Sequence, residues 1–372
     1  MQSFSLLIKP ASADCNLNCE YCFYLDKCHL YPESKRHRMP DEVLEQLVKS
    51  YMATPQSTYF FGWQGGEPTM MGVEFFRKAT ALQEKYGYRG AVVANGLQTN
   101  ATLIDDELAQ HFARYRFLLG CSLDGPAEIH NRYRLTIGGK PSHEKVLKGI
   151  RTLKRHGVEQ NILVLVSQAN VRHAAEVYHW LIRNGFFYHQ YIPCVEFDAD
   201  GTPLPFAING QEWGEFLCTL FNQWYSHDIN KVSIRLFDSV LQKMVDGTVN
   251  ACHMGRDCRQ YFVVEFNGDI YPCDFFVETP LKIGNIMDMD WDEALEAGSY
   301  REFGLQKSNW NSKCQTCDCL NYCRGDCLKN RLYAGNTAQN LSWLCEGWLQ
   351  FYRHTRRKFH SIADELQQTR KS

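Results

Sequence analysis

Between residues 3 and about 197, short apolar runs rich in β-branched and aromatic residues alternate with stretches whose apolar positions recur every three to four residues. Residues 4–8, 59–63, 91–94, 117–123, 161–166 and 187–192 read as strands. Residues 41–51, 73–86, 105–115, 143–156 and 171–184 read as helices. This repeated βα pattern predicts a parallel sheet covered by helices, with chemistry at the carboxyl ends of the strands. Six such units are too few for a closed eight-stranded barrel, so the expected α/β fold is a partial (β/α)6 barrel. The loop at 15–22, Gly65-Gly66-Glu67-Pro68, Gln98-Thr99-Asn100 and Ser122-Leu123-Asp124-Gly125 all follow predicted strands, which places them on one rim.

The pattern changes near Asp198, where Asp-Ala-Asp-Gly-Thr-Pro-Leu-Pro reads as a linker. Helices are expected at 211–225 and 236–245, and a hairpin turning at Asn267-Gly268. The basic run 353–358 reads as the solvated face of a terminal helix. Two domains are the natural division of 372 residues, of which 44% are apolar. With 40 basic against 42 acidic residues and no block of one sign, the electrostatic footprint of a nucleic-acid binder is missing. No run approaches the roughly 18 to 20 apolar residues that span a bilayer. Residues 1–15 lack the charged start and apolar run of a secretory signal. A cytosolic protein is therefore expected, and in that compartment sixteen cysteines point to metal or cluster ligation rather than to disulfides.

Cys15, Cys19 and Cys22 form a C-x3-C-x2-C loop with Tyr21 before the last thiol. Three thiolates can hold three corners of a 4Fe-4S cluster and leave one iron without a protein ligand, as a cluster that reacts with a small molecule requires. A zinc knuckle would use the same residue type. Cys121 and Cys194 fall in apolar strand-like runs and Cys218 in a helix, where a thiol serves as a small hydrophobe. Cys28 belongs to loop chemistry.

Cys15-Asn-Leu-Asn-Cys19-Glu-Tyr-Cys22 resembles the signature of radical S-adenosylmethionine (AdoMet) enzymes, and Gly65-Gly66-Glu67-Pro68 resembles their second motif. The resemblance implies that the open iron binds the amino and carboxylate groups of AdoMet and that the Gly-Gly-Glu-Pro backbone bonds its amino group. The cysteines beyond residue 250 are similar in order to the SPASM extension of these enzymes, which implies domains at 1–230 and 231–372. The likeness assigns one auxiliary cluster to Cys252, Cys258, Cys273 and Cys327, and another to Cys314, Cys317, Cys323 and Cys345, giving three 4Fe-4S clusters in all. Structural zinc would satisfy much of the same C-terminal spacing, and Cys319 could compete as a ligand.

Within the SPASM group the chain resembles the anaerobic sulfatase-maturating enzymes, through Leu6-Leu7-Ile8-Lys9-Pro10, Cys22-Phe23-Tyr24, Gln64 to Thr69, Leu97 to Asn100, Asp124-Gly125-Pro126 and Tyr271-Pro272-Cys273-Asp274-Phe275. That family oxidises an active-site Cys or Ser of a sulfatase to Cα-formylglycine. It implies Tyr21, Gly66, Ser122, Arg134 and Val195 around AdoMet, Tyr24 and Gln64 near the substrate, and Asp274 as proton acceptor. Arg134 suits this role on its own chemistry, because a forked, permanently charged group matches a carboxylate. Removing one hydrogen atom supplies only one oxidising equivalent, so a proton and a second electron must also leave, and a fully ligated auxiliary cluster suits the electron. The implied partners are a sulfatase polypeptide and a flavodoxin- or ferredoxin-type donor, with no nucleic acid and no membrane. Two other readings stay open: a peptide maturase that forms thioether or carbon-carbon crosslinks, and a non-catalytic zinc-binding module.

Overall fold

A computed structural model of the chain describes residues 3–371, and its contacts divide them into two compact units. The first comprises residues up to 122 together with 134–160 and 258–304; the second holds 123–133, 161–257 and 305 onward. The described strands are β1 (Ser5–Lys9), β2 (Leu17–Cys19), β3 (Thr58–Trp63), β4 (Val92–Thr99), β5 (Leu118–Ser122), β6 (Arg134–Thr136), β7 (Glu159–Val166), β8 (Tyr188–Pro193), β9 (Ser233–Ile234), β10 (Tyr261–Glu265), β11 (Asp269–Tyr271) and β12 (Gly284–Asn285).

In the first unit β10, β1, β3, β4 and β5 lie side by side in parallel. Their carboxyl ends therefore share one edge, where the cysteine loop, residues 64–68 and residues 100–102 emerge. Helices Asp41–Met52, Val73–Tyr86, Asp106–Arg114 and His143–Arg155 belong to the same unit. Their apolar faces and the strands bury Leu44, Leu47, Phe61, Trp63, Phe76, Phe112 and Leu119. Burial of each such side chain contributes about 1.5–3 kcal/mol. Asp105 caps its helix through Leu108 N–H at 2.9 Å.

β10 enters this sheet beside β1, in register from Ser5↔Tyr261 to Lys9↔Glu265, and β11 and β12 continue it antiparallel. The expected hairpin at Asn267-Gly268 is present. It extends the sheet of the N-terminal βα units instead of belonging to a separate C-terminal body. β2 and β6 form a separate two-stranded ribbon.

In the second unit most of β7 pairs in parallel with β8, and β8 with β9. The helix Gly210–His227 starts on a capping box between Asn209 and Glu212 and packs against the terminal helix Cys345–Lys371, with the Phe221 and Phe359 rings 4.8 Å apart.

Two local differences from the sequence pattern have clear causes. Asn95-Gly96, a turn signal in isolation, lies in the middle of β4. Asn95 Oδ1 accepts from Trp63 Nε1 at 2.9 Å and Gln83 Nε2 at 3.0 Å, and a Cβ at Gly96 would stand 2.8 Å from the Phe60 ring. The helix expected from residue 171 begins at Ala174, because Asn170 holds the preceding turn through Ser167 N–H and its own carbonyl accepts His173 N–H.

Candidate active site

The cysteine loop leaves β1 through two tight turns, Ser12 N–H to Lys9 O at 3.1 Å and Asp14 N–H to Ala11 O at 2.9 Å. Asp14 ties the outer side of the loop by accepting from His37 N–H, His37 Nδ1 and an Arg38 guanidinium nitrogen. Burial pushes its carboxyl up, but these bonds outweigh it and hold the group below the usual carboxylate range. Cys19 ends β2, and the ribbon register places Arg134 directly opposite. A guanidinium nitrogen of Arg134 lies 4.0 Å from Cys19 Sγ, and its guanidinium carbon 5.4 Å from the Tyr21 ring centroid. Cys15 Sγ accepts from Leu17 N–H at 3.4 Å and Asn100 Nδ2 at 3.6 Å.

Residues 65–68 are locked against this loop. Gly66 N–H donates to Ser12 O at 2.7 Å and Glu67 N–H to Asp14 O at 2.8 Å. A Cβ on Gly66 would fall 2.0 Å from Asp14 O, so the approach requires glycine. With its N–H committed, Gly66 offers its carbonyl, the acceptor that an amino group needs. Glu67 is fully buried and accepts from Thr69 N–H, Thr69 Oγ1, Thr99 Oγ1 and Asn100 N–H at 2.6–3.0 Å. Burial pushes its carboxyl up while those donors pull it down. Glu67 thus fastens the glycine turn to the end of β4, a task that sequence reasoning did not assign. The polar Thr69 and the run Thr99-Asn100 were the available signal.

Asp274 follows Cys273 and is mostly buried. One carboxylate oxygen pairs with the buried ammonium of Lys9, and the other accepts from Gln64 Nε2 at 2.7 Å. A carboxylate has about four lone-pair sites, so capacity remains for a proton. Gln64 thus bonds the expected base itself. Tyr24 is buried, and its hydroxyl donates to Glu265. Ser122 ends β5, half-buried, on the same strand edge.

Val195 belongs to the second unit, buried, its carbonyl accepting from Lys329 Nζ at 2.7 Å. Asp124 is also there, with one oxygen committed to Leu165 N–H at 3.0 Å, a structural use.

The thiol set fits a cluster. Burial, then Glu67 and the neighbouring Cys19 and Cys22, push the Cys15 thiol up to about 12. Three thiols crowded in this way become good ligands only when a cation displaces their protons. In the second unit Cys314, Cys317, Cys323 and Cys345 line one cavity with Cys319. Burial, followed by Cys314 and Cys317, pushes Cys345 up to about 11. Cys319 is buried and raised to about 12, first by burial. Ligand atoms of Cys317, Asp318 and Cys319 lie within 4.8 Å of one another, but Asp318 is committed at the surface to Arg353 and Arg356. Cys252 and Cys327 also belong to the second unit, where burial and then Cys252 raise Cys327 to about 11. Cys258 and Cys273 flank the β10–β11 hairpin in the first unit, and Tyr261 Oη lies 3.4 Å from Cys273 Sγ. No disulfide joins any of the sixteen cysteines.

The radical SAM superfamily model matches residues 10–181, and the model of the iron-sulfur cluster-binding SPASM domain matches 252–318. A serine-type anaerobic sulfatase-maturating enzyme of Bacteroides thetaiotaomicron is 37% identical over 97% of this chain and 91% of its own length. A cysteine-type enzyme of Clostridium perfringens is 35% identical over 98% of this chain and 100% of its own. The chain belongs to the anaerobic sulfatase-maturating enzymes. Its fold agrees: native anSMEcpe with bound AdoMet and Kp18Cys peptide superposes with a TM-score of 0.91 at 36% identity, over 97% of this chain and 99% of that one. SuiB of Streptococcus suis bound to the precursor peptide SuiA shares only the fold, with a TM-score of 0.65 at 18% identity. As a sulfatase-maturating enzyme the chain is a radical AdoMet oxidoreductase with a SPASM domain. Among the described residues no helix is long and apolar enough to cross a membrane.

Proposed function

We propose that this chain oxidises the active-site Cys or Ser of a sulfatase to Cα-formylglycine, with Asp274 taking the proton that leaves the substrate thiol or hydroxyl. The observation that carries this reading is the Asp274 carboxylate, fixed on one oxygen by Lys9 and on the other by Gln64 in a chain related over nearly its whole length to curated enzymes of this activity. When bound, a cluster with AdoMet would supply the one-electron chemistry that takes a hydrogen atom from the substrate Cβ. Cys15, Cys19 and Cys22 would hold that cluster. The Gly66 carbonyl would accept from the cofactor's amino group and Arg134 would pair with its carboxylate, with the Tyr21 ring beside Arg134. Ser122 lines the strand edge beside them. Gln64 orients Asp274, and Val195 keeps the role that the family resemblance implies.

Cys314, Cys317, Cys323 and Cys345 are assigned to one auxiliary 4Fe-4S cluster on the cavity that they line. The assignment of Cys252, Cys258, Cys273 and Cys327 to a third rests on their order in the sequence. We keep functional modules at 1–230 and 231–372, although the compact units divide differently, and add a flavodoxin- or ferredoxin-type electron donor and a cytosolic location.

Reconstituted enzyme incubated anaerobically with AdoMet, a reductant and sulfatase-motif peptides tests the proposal. Formylglycine from a cysteine peptide loses two hydrogens and exchanges sulfur for oxygen, and from a serine peptide it loses two hydrogens only; both products react with a hydrazide. A mass loss of hydrogens without hydrazide reactivity would instead indicate a crosslink, and an iron-free, zinc-loaded chain a binding module.

A further inference from the structure

Glu265 is a buried carboxyl of the first unit to which the cluster ligands and the reaction above give no task. It is fully buried at the end of β10. It stands in register with Lys9 of β1, and paired residues on adjacent strands project to the same face. The Tyr24 hydroxyl donates to Glu265 Oε1, and Lys9 Nζ lies 4.4 Å from the Tyr24 ring centroid while it pairs with Asp274. Glu265, Tyr24 and Lys9 therefore form one buried packet whose outer end is Asp274. Glu265 Oε2 has no hydrogen-bond partner. Burial pushes the Glu265 carboxyl up, and Tyr24, the Ser12 hydroxyl, Lys9 and the Phe266 N–H nevertheless lie near enough to oppose that push.

A lysine is a compact charge on a flexible four-carbon stem, so an ammonium needs a wall to aim it. Tyr24 supplies the wall, and Glu265 fixes Tyr24. We propose that Glu265 is a positioning residue for Asp274, acting through Tyr24 and Lys9 to fix the direction in which the Asp274 carboxylate presents its remaining lone pairs. The inference rests on Asp274 as the proton acceptor. Hydrogen abstraction precedes proton loss, so a misdirected Asp274 leaves 5′-deoxyadenosine formed without aldehyde.

The test compares Glu265→Gln, Glu265→Asp and Glu265→Leu in the reconstituted full-length enzyme with a sulfatase-motif peptide. It reads the ratio of 5′-deoxyadenosine to aldehyde and, without peptide or turnover, the AdoMet-induced change in the EPR spectrum of the reduced protein. The Asp and Leu variants are expected to raise the ratio about tenfold or more, since misplacing a catalytic group by about 1 Å costs up to about 10²-fold. Glu265→Gln keeps the length and an acceptor for Tyr24 and should stay within about threefold of wild type. The EPR change should persist in all three. Unchanged ratios in both the Asp and Leu variants overturn the proposal, as does loss of the EPR change, which would place the action of Glu265 on the cofactor. If Glu265→Leu does not fold, Glu265→Asp decides. Asp274→Asn run in parallel separates the two readings. If it leaves aldehyde formation intact, the acceptor assignment itself fails; if it abolishes aldehyde while the Glu265 variants stay coupled, only the positioning role fails.

Discussion

The three-thiol loop and the four-thiol cavity use the same residue in opposite settings. Around Cys15 and Cys19 stand polar partners: Asn100 on one sulfur and Arg134 beside the other, with the Gly66 turn bonded to the same loop through Ser12 O. Around Cys314, Cys317, Cys323 and Cys345 the lining includes Leu320, Trp348 and Leu349. A site that must bind a zwitterionic cofactor needs hydrogen-bonding groups beyond its thiolates. A site that only passes electrons is served by saturated ligation and a dry shell. The number of thiols and the polarity of their surroundings thus make the same statement about each site.

The largest test of that contrast is Cys19→Ala. It should reduce AdoMet cleavage to background and remove about four irons per chain, leaving the iron of the auxiliary sites in place. Retained cleavage would erase the distinction between the two regions. Asp274→Asn should lower aldehyde formation about 10²- to 10⁴-fold while 5′-deoxyadenosine still forms, as separate product assays would show. Gly66→Ala pushes a methyl group into Asp14 O, and chemical denaturation should record a loss of about 3 kcal/mol. Arg134→Lys exchanges a fork for a point charge and should weaken AdoMet binding about tenfold in an equilibrium titration. The smallest effect sharpens the four-thiol side. Cys319→Ala should leave iron content unchanged and cost about 1 kcal/mol, because the proposed ligand set leaves this buried thiol outside it; a loss of about four irons would make it a ligand.

Much of this was legible in the sequence because it depends on local signals. The alternation of strands and helices, the glycine turn and the cysteine spacings each lie within a few tens of residues. The rest depends on contacts that spacing cannot encode. β2 and β6 are three residues each, too short to show a period, yet they bring Arg134 opposite Cys19. Lys9 reads as a polar residue at a strand end; its partnership with Asp274 and its register with Glu265 arise only when β10 docks beside β1 across 256 positions of sequence. The two Asn-Gly pairs carry the same lesson. At 267–268 the pair turns a hairpin, while at 95–96 Trp63, Gln83 and Phe60 supply enough packing and hydrogen bonding to hold it straight.

The central claim is that one cluster, held by Cys15, Cys19 and Cys22, meets AdoMet directly while the auxiliary clusters do not. EPR spectra of the reduced, reconstituted protein, recorded with and without AdoMet, test it most directly. The account predicts that AdoMet shifts a single component and that this component is missing in Cys19→Ala. Spectra that AdoMet leaves unchanged, or a shift that survives in Cys19→Ala, would contradict it.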